Sequence, residues 1–245
     1  MADLSQNLAL TIRDLHLRPG AAPISTQIKA GEIVGLAGLD GHGQDVFLRS
    51  LAGLERNQNA VDLQGNRIGS FRDAERNAVV YAPRDRRSTG IFPGLSILDN
   101  FAIATPGRDR KGLLISAKSR RARYELWKDR LQIKAPSPDA PITALSGGNQ
   151  QKILLARALA RDPKVLLLND PTRGVDVATR LVLYDLFREL AAEGIALVIL
   201  SSEIEEILVL CHRVLVFRDH ALAAELAGDA MRTDTVIAAM FGRAA

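Results

Sequence analysis

From Gly148 to Phe217 the chain reads as an unbroken alternation of helix and strand. Helical periodicity covers Gly148 to Ala160, an apolar run covers Lys164 to Leu168, and a second helix covers Val177 to Ala192. Apolar Ile195 to Leu200, a short helix from Glu203 to Leu210 and a strand from Arg213 to Phe217 follow. Strands separated by crossover helices enter a sheet in the same direction, and the helices cover its faces. The fold class expected is therefore α/β with a parallel-sheet core.

The first third is different in texture. "LALTIRDLHL" and "ISTQIKAGEIVGLAG" alternate apolar and polar residues with Gly and Pro between them, which predicts short strands joined by turns. The second stretch ends in a buried strand, Glu32 to Ala37, and Gln44 to Ala52 follows as a helix with Val46, Phe47, Leu48 and Leu51 on its apolar side. "VDLQGNRIGS" predicts a hairpin and "AVVYAPRDR" a core strand ending at Pro83.

Between Gly94 and Thr143 helices take over. "SILDNFAIA" starts one capped by Ser96, and "SAKSRRARYELWKDRLQI" predicts a longer amphipathic one. Pro136, Pro138 and Pro141 make a stiff connector back to the main chain. With 245 residues, the chain fits a single domain over 1–245 that carries 94–143 as a helical insertion, not two independent domains.

Hydrophobic residues make up 47% of the chain but aromatics only 4%, so Leu, Ile, Val and Ala must build the interior. No apolar run approaches the roughly 20 residues of a membrane span, and the N-terminus lacks the basic-then-apolar order of a signal peptide. A cytosolic location is expected. Cys211 stands alone and is expected to be a packed structural thiol. The net charge of +4 is unevenly spread: Arg108, Arg110, Lys111, Lys118, Arg120, Arg121, Arg123, Lys128, Arg130 and Lys134 crowd a region with few acids. A solvated basic helix and a partner-facing one both fit that pattern.

The loop Gly38-Leu39-Asp40-Gly41-His42-Gly43-Gln44-Asp45 lies between a buried strand and a helix, the setting of a phosphate-binding P-loop. In such a loop, backbone N–H groups and the helix N-terminus hold phosphates, a lysine reaches the outer phosphates and a hydroxyl binds Mg2+. Here Gln44 stands at the lysine position and Asp45 at the hydroxyl position. Losing a charge-assisted bond costs about 1.5–3 kcal/mol, and a carboxylate some 4 Å from phosphate adds about 1–4 kcal/mol of repulsion. Nucleotide affinity should fall by orders of magnitude unless something compensates. His42 is expected to be exposed or packed, not facing a phosphate. Glu203, Glu205 and Glu206 are expected to be the acidic first turn of a helix, not a catalytic cluster.

Leu145-Ser146-Gly147-Gly148-Asn149-Gln150-Gln151 resembles the signature motif of ABC ATPases. It precedes an apolar strand running into Asn169-Asp170-Pro171-Thr172, and then Gly174-Val175-Asp176 at the place of the D-loop. The order of P-loop, helical insertion, signature, acidic strand end and D-loop is similar to the ABC order from about Leu8 onward. "Gly-Gly-Asn-Gln-Gln-Lys" and "Asp-Pro-Thr-Arg-Gly-Val-Asp-Val" further resemble the second, degenerate cassette of ribose- and galactose-type monosaccharide importer ATPases. The resemblance implies an ABC nucleotide-binding domain: a RecA-like parallel core, an N-terminal antiparallel β subdomain and an inserted helical subdomain.

It also implies roles. Asn169 replaces the aspartate that helps hold Mg2+ through water, and Asp170 replaces the catalytic glutamate with one methylene fewer. Arg84, followed by Asp85 and Arg86, stands at the Q-loop position, and Ser201 or Ser202 stands at the switch histidine. No aromatic platform for adenine precedes Phe47, and His16 is the only ring available there. The implied cofactors are ATP and Mg2+, with Asp45 and Asn169 as candidate metal residues. Implied partners are a second ABC cassette, integral membrane permease subunits and, indirectly, a solute-binding protein, with the chain peripheral on the cytoplasmic face of the membrane.

Because ABC ATPases bind each nucleotide between one cassette's P-loop and the other's signature, Ser146, Gly147 and Gly148 would still serve a partner's ATP when their own loop is impaired. Three readings follow: an importer ATPase subunit, a non-hydrolysing pseudo-ATPase that completes a partner's site, and a soluble ABC protein acting on nucleic acid through the basic helix. The last fits least, and no specific nucleic-acid partner is expected.

Overall fold

The computed structural model describes residues 7–56, 60–85, 89–111 and 114–242. The chain falls into two compact units, one made of Met1–Tyr81, Lys164–Asp170 and Phe187–Ala245, the other of Ala82–Pro163 and Pro171–Leu186.

The first unit holds two sheets. Strands β1 (Leu8–Leu15), β2 (Ile24–Lys29), β4 (Val61–Leu63) and β5 (Asn66–Arg67) form an antiparallel sheet in the order β2-β1-β4-β5. The larger sheet contains β3 (Ile33–Gly38), β6 (Val79–Ala82), β9 (Val165–Asn169), β10 (Ala196–Leu200), β11 (Arg213–Arg218) and β12 (Ala221–Ala227), ordered β12-β11-β3-β10-β9-β6. Strands β11, β3, β10 and β9 run parallel, as the alternation requires, and β12 closes one edge antiparallel. Their register aligns Leu36 with Leu200 and Leu200 with Asn169. The segments that follow β3, β9 and β10 therefore leave the sheet together at its carboxyl edge, where open α/β sheets bind ligands.

Helix α1 (Gln44–Leu51) buries Phe47, Leu48 and Leu51, and Phe47 meets Phe217 with ring centroids 5.1 Å apart. Each such side chain taken out of water contributes about 1.5–3 kcal/mol. Aliphatic residues dominate the core as composition requires, yet Tyr124, Phe47, Phe101, Phe187 and Phe217 are the bulkiest fully buried side chains. At Gly35 of β3 an added Cβ would sit 2.4 Å from the Ile207 side chain and 3.0 Å from Cys211 Sγ. Only glycine lets helix α7 (Ile204–Leu210) lie this close. Cys211 is a free thiol packed there, pushed above the ordinary cysteine range by burial and by Glu206.

In this unit helix α2 (Phe71–Arg76), whose Ser70 cap accepts from Asp73 N, strand β12, and helix α8 (Thr233–Phe241) escaped the sequence reading.

The second unit contains α3 (Ile97–Ala102), the two-stranded ribbon β7 (Arg110–Lys111) and β8 (Leu114–Ile115), α4 (Ala117–Arg130) and α5 (Gly147–Leu159). It also takes in the first part of α6 (Val177–Ala192). Ser96 caps α3 as expected, its Oγ accepting from Asp99 N at 3.0 Å. The proline-rich connector feeds the same helix end: Ala140 O accepts from Ile97 N and Pro138 O from Leu98 N, at 2.9 and 2.8 Å. Those N–H groups have no partner inside the helix, so the connector supplies what the helix cannot.

Helix α4 corrects the amphipathic expectation, because Tyr124 is its only fully buried residue. Its charges serve as internal ties. Arg123 grips Asp109, whose side chain is 0% exposed, through two bonds of 2.8 and 2.7 Å. Arg120 bonds Asp99 at 2.7 Å, Arg121 bonds Asp139 at 2.6 Å and Lys128 bonds Glu125 at 2.8 Å, while Arg108 pairs with Asp162. Arg108, Arg120, Arg121, Arg123 and Lys128 of the crowded stretch are thus paired within their own unit. Among the described residues no helix is long and apolar enough to cross a membrane.

Candidate functional site

The glycine loop stands where the sequence places it, between β3 and α1. Gly41 and Gly43 take φ of 80° and 105°, a backbone region open to glycine, and Gly43 is the N-cap of α1. A Cβ on Gly43 would lie 2.9 Å from His220 Cα and 3.0 Å from Leu17 Cδ1, so the fold leaves no room for one. The turn between β11 and β12 clamps the loop: His220 N donates to His42 O at 2.9 Å. His220 was not legible as part of the site. His16 is exposed, its Nδ1 bonded to Ala21 O at 3.0 Å.

Gln44 is 7% exposed and folds back over the loop, its Nε2 donating to Leu39 O at 2.9 Å and Gly38 O at 3.2 Å. Its Oε1 has no donor. Asp45, on the exposed side, accepts from Asn169 Nδ2 at 2.6 Å, and the same amide lies 3.3 Å from Tyr81 Oη. Asn169 is 4% exposed and its Oδ1, like His42 Nδ1 and His220 Nδ1, has no partner. Tyr81, which sequence reasoning missed, has its phenol pushed above the ordinary range mainly by burial, with the Asp45 charge adding to the shift and the Asn169 bond opposing it.

Asp170 is 5% exposed and adopts φ of 47°. Its N–H donates to Leu200 O and its Oδ1 accepts from Ser202 N, both at 2.7 Å. Side chains distinguish the two candidate switch serines. Ser201 is buried, donating to Glu206 and accepting from Glu203 N at 3.0 Å, whereas Ser202 is exposed. Glu203 and Glu205 sit at the start of α7 as expected, and Glu206 is buried holding Ser201. Arg84 and Asp85 are exposed, and Arg86 lies outside the described residues.

In the second unit the signature residues are built differently. Ser146 caps α5, its Oγ accepting from Asn149 N at 3.4 Å and Asn149 Nδ2 at 3.0 Å, and Asn149 Oδ1 accepts from Lys134 N at 2.8 Å. Gln150 Nε2 donates to Leu145 O at 3.1 Å, and Leu145 and Gln151 are buried. A Cβ on Gly148 would meet Thr179 Oγ1 at 3.0 Å and Asp176 Oδ2 at 3.4 Å, which brings the starts of α5 and α6 side by side.

Asp176 accepts from Thr179 N and Oγ1, both at 2.9 Å, and these bonds draw its carboxyl below the usual aspartate range. Gly174 turns the D-loop with φ of 66°, and Val175 N donates to Thr172 O at 3.3 Å. Lys152, also missed, is buried with Nζ on Gln132 O at 3.1 Å. Burial lowers its ammonium pKa, while the Asp176 charge pulls the other way.

Chemically, the first unit offers helix-end N–H groups and a glycine cradle without a lysine, next to one carboxylate held by an amide. Among the described residues no group of three or more His, Cys, Asp or Glu could hold a metal by itself. A magnesium ion needs only one or two carboxylates beside nucleotide phosphates, so Asp45 and the undonated Asn169 Oδ1 fit such an ion and its water. The second unit offers an exposed hydroxyl and backbone N–H groups at the start of a 13-residue helix.

The family description "ABC transporter" matches residues 21–173. Ribose import ATP-binding protein RbsA 1 of Rhizobium johnstonii is 38% identical over 236 residues, covering 94% of this chain and 46% of that protein. RbsA 2 of Burkholderia pseudomallei is 39% identical over 236 residues, covering 94% and 45%. The chain thus spans about half the length of the curated relatives it matches. Among solved structures, a post-hydrolysis dimer of an ATP-binding cassette bound to ADP and Pi aligns with TM-score 0.74 and 20% identity, covering 89% of this chain and 98% of that one. Another ATP-binding cassette of an ABC transporter aligns with TM-score 0.80 and 16% identity, covering 95% and 98%. The antiparallel subdomain and parallel core are those of an ABC cassette, and the chain belongs to the ABC transporter family of ATP-binding domains.

Proposed function

We propose that this chain is the ATP-binding subunit of an ABC importer for a sugar, and that its signature face completes an ATP site whose phosphate loop belongs to a partner cassette. Its own loop binds ATP and Mg2+ weakly. The contrast at position 44 carries this reading: a neutral carboxamide bonded to the loop's own carbonyls stands where phosphate needs a cation, while Ser146 and the start of α5 keep every feature of an anion-binding helix end. Ser146 Oγ and the N–H groups of Gly147 and Gly148 would donate to the γ-phosphate held by the partner. A Cβ on Gly148 would press on the Thr179 side chain, 3.0 Å from its Oγ1, so glycine suits the close approach of α5 and α6 beside that helix start. Gly174 to Asp176 would meet the partner alongside.

Residues 94–143 belong to one cassette spanning 1–245 and face membrane permease subunits, which a solute-binding protein supplies. The chain is peripheral on the cytoplasmic face of the membrane. The ribose importers among its relatives support the sugar assignment. The internal pairing of Arg108, Arg120, Arg121, Arg123 and Lys128 supports a structural use of that charge over nucleic-acid binding.

A second reading, a non-hydrolysing pseudo-ATPase, is favoured by Asp170. Its carboxylate is one methylene shorter than glutamate and already accepts from Ser202 N, which leaves less reach for orienting an attacking water. Ser146→Arg, assayed in the complex with its partner cassette and permease, tests the main reading. Removing an oxyanion-type donor from a reaction site costs about 100-fold in turnover, and a loss of that order is expected. An unchanged rate would refute the reading.

A further inference from the structure

We infer that Asp45 carries the divalent cation of a nucleotide bound at this chain's own loop, through an exchange of side chains between positions 45 and 169. The inference rests on the reading of Gly38 to Asp45 as a nucleotide loop.

The contact between the two residues fixes their orientation. A carboxylate has no proton to give, so the 2.6 Å bond requires the Asn169 amide to present Nδ2 to Asp45. Tyr81 Oη lies 3.3 Å from the same nitrogen. Asn169 Oδ1 is thereby turned to a place where no protein donor reaches it, on a residue only 4% exposed. Buried acceptors without a donor are rare because the desolvation is uncompensated. Gln44 Oε1, on a residue 7% exposed in the same loop, is in the same condition. Asn169 Oδ1, left without a protein donor beside the Asp45 carboxylate, suits a group from outside the protein that brings hydrogen-bond donors, and the hydration water of a magnesium ion on a nucleotide is such a group.

The pair also conserves charge. A P-loop site with a hydroxyl at position 45 and an aspartate at position 169 holds one carboxylate and one neutral partner. This chain holds one carboxylate and one neutral partner with the positions reversed. The negative charge has moved from the end of β9 to the first turn of α1. With no lysine at 44, that carboxylate repels a bare nucleotide and attracts a nucleotide that carries a hard divalent cation, since Mg2+ is held by one or two carboxylates together with phosphate oxygens. The sign of the effect of Asp45 thus depends on the metal.

The test is ADP binding to the purified chain, which involves no turnover, in EDTA and in Mg2+, together with Mn2+ electron paramagnetic resonance of the ternary complex. In the wild type, Mg2+ should tighten ADP by about tenfold or more. Asp45→Ser should bind ADP more tightly than wild type in EDTA, more weakly in Mg2+, and immobilise less Mn2+. Asp45→Asn, close in shape, should follow it. The reversal Asp45→Ser with Asn169→Asp should restore the Mg2+ enhancement. ADP affinity that is equal in both buffers and indifferent to Asp45→Ser would overturn the inference while sparing the nucleotide loop, with Asp45 merely facing the positive end of its helix. No ADP binding in any buffer would overturn the loop reading itself, and the inference with it.

Discussion

The glycine loop ahead of α1 in the first unit and the Ser146 turn ahead of α5 in the second are both helix starts preceded by a turn, yet they are finished in opposite ways. At Ser146 the cap is closed: Ser146, Asn149 and Lys134 N satisfy one another, Gln150 Nε2 donates to Leu145 O, and Asp176 is held twice by Thr179. At Gly43 the cap is a glycine without a side-chain bond. Around it Gln44 Oε1, Asn169 Oδ1, His42 Nδ1 and His220 Nδ1 have no partner. A surface that needs only backbone N–H groups and one hydroxyl can be complete before its ligand arrives. On the proposed reading the first site must hold phosphates and a metal, and such a site is complete only when they are present.

The comparison can be broken most severely in the second unit. Arg123→Ala would leave the Asp109 carboxylate, 0% exposed, without its bidentate partner. Removing one member of a buried pair costs about 3–5 kcal/mol, so a loss of this size in urea unfolding is expected. A change below about 1 kcal/mol, the worth of a surface pair, would show that the unit does not depend on its internal charge pairing.

The next effect sharpens the contrast from the other side. Gln44→Lys restores a charge at the loop and should tighten ADP by about tenfold, the worth of one charge-assisted bond. Unchanged ADP affinity by calorimetry would mean that position 44 does not limit the loop. The smallest effect concerns the D-loop. Asp176 has its carboxyl below the ordinary value of 3.8 in the folded chain, so its contribution to stability is present above that value and is lost as pH falls through the lower folded pKa. Thermal melts between pH 5 and 3 should fall more steeply for wild type than for Asp176→Asn, and identical slopes would show that the Thr179 bonds to Asp176 do not stabilise the fold.

Much of the scaffold was legible because its signals are local. A glycine loop between an apolar strand and an amphipathic stretch, Ser96 ahead of Asp99, and helix Val177–Ala192 each follow from a few neighbouring residues. The parallel order follows from the alternation alone. What escaped has a physical reason in each case. Strand β12, "ALAAELA", is rich in residues that favour helix over strand, and its hairpin turns on Asp219-His220, with φ of 52° and 66°, where a glycine would have announced the turn. Helix α4 has helical composition, but the pairing of its arginines depends on Asp99, Asp109 and Asp139, which reach it only in three dimensions.

Within the site, sequence spacing located positions 44, 45, 169 and 170. The bond from Asn169 to Asp45, the hold of Ser202 N on Asp170, and the arrival of Tyr81 and His220 join segments far apart in the chain. No local pattern encodes those contacts.

The most direct test is ATP turnover by the proposed complex with a partner cassette and permease, comparing Ser146→Arg with Asp170→Ala, both in this chain. Ser146→Arg should abolish most of the turnover while Asp170→Ala leaves it nearly intact, as expected if this chain contributes Ser146 to Gly148 to a partner's nucleotide and not its own carboxylate. Turnover lost with Asp170→Ala and retained with Ser146→Arg would contradict it.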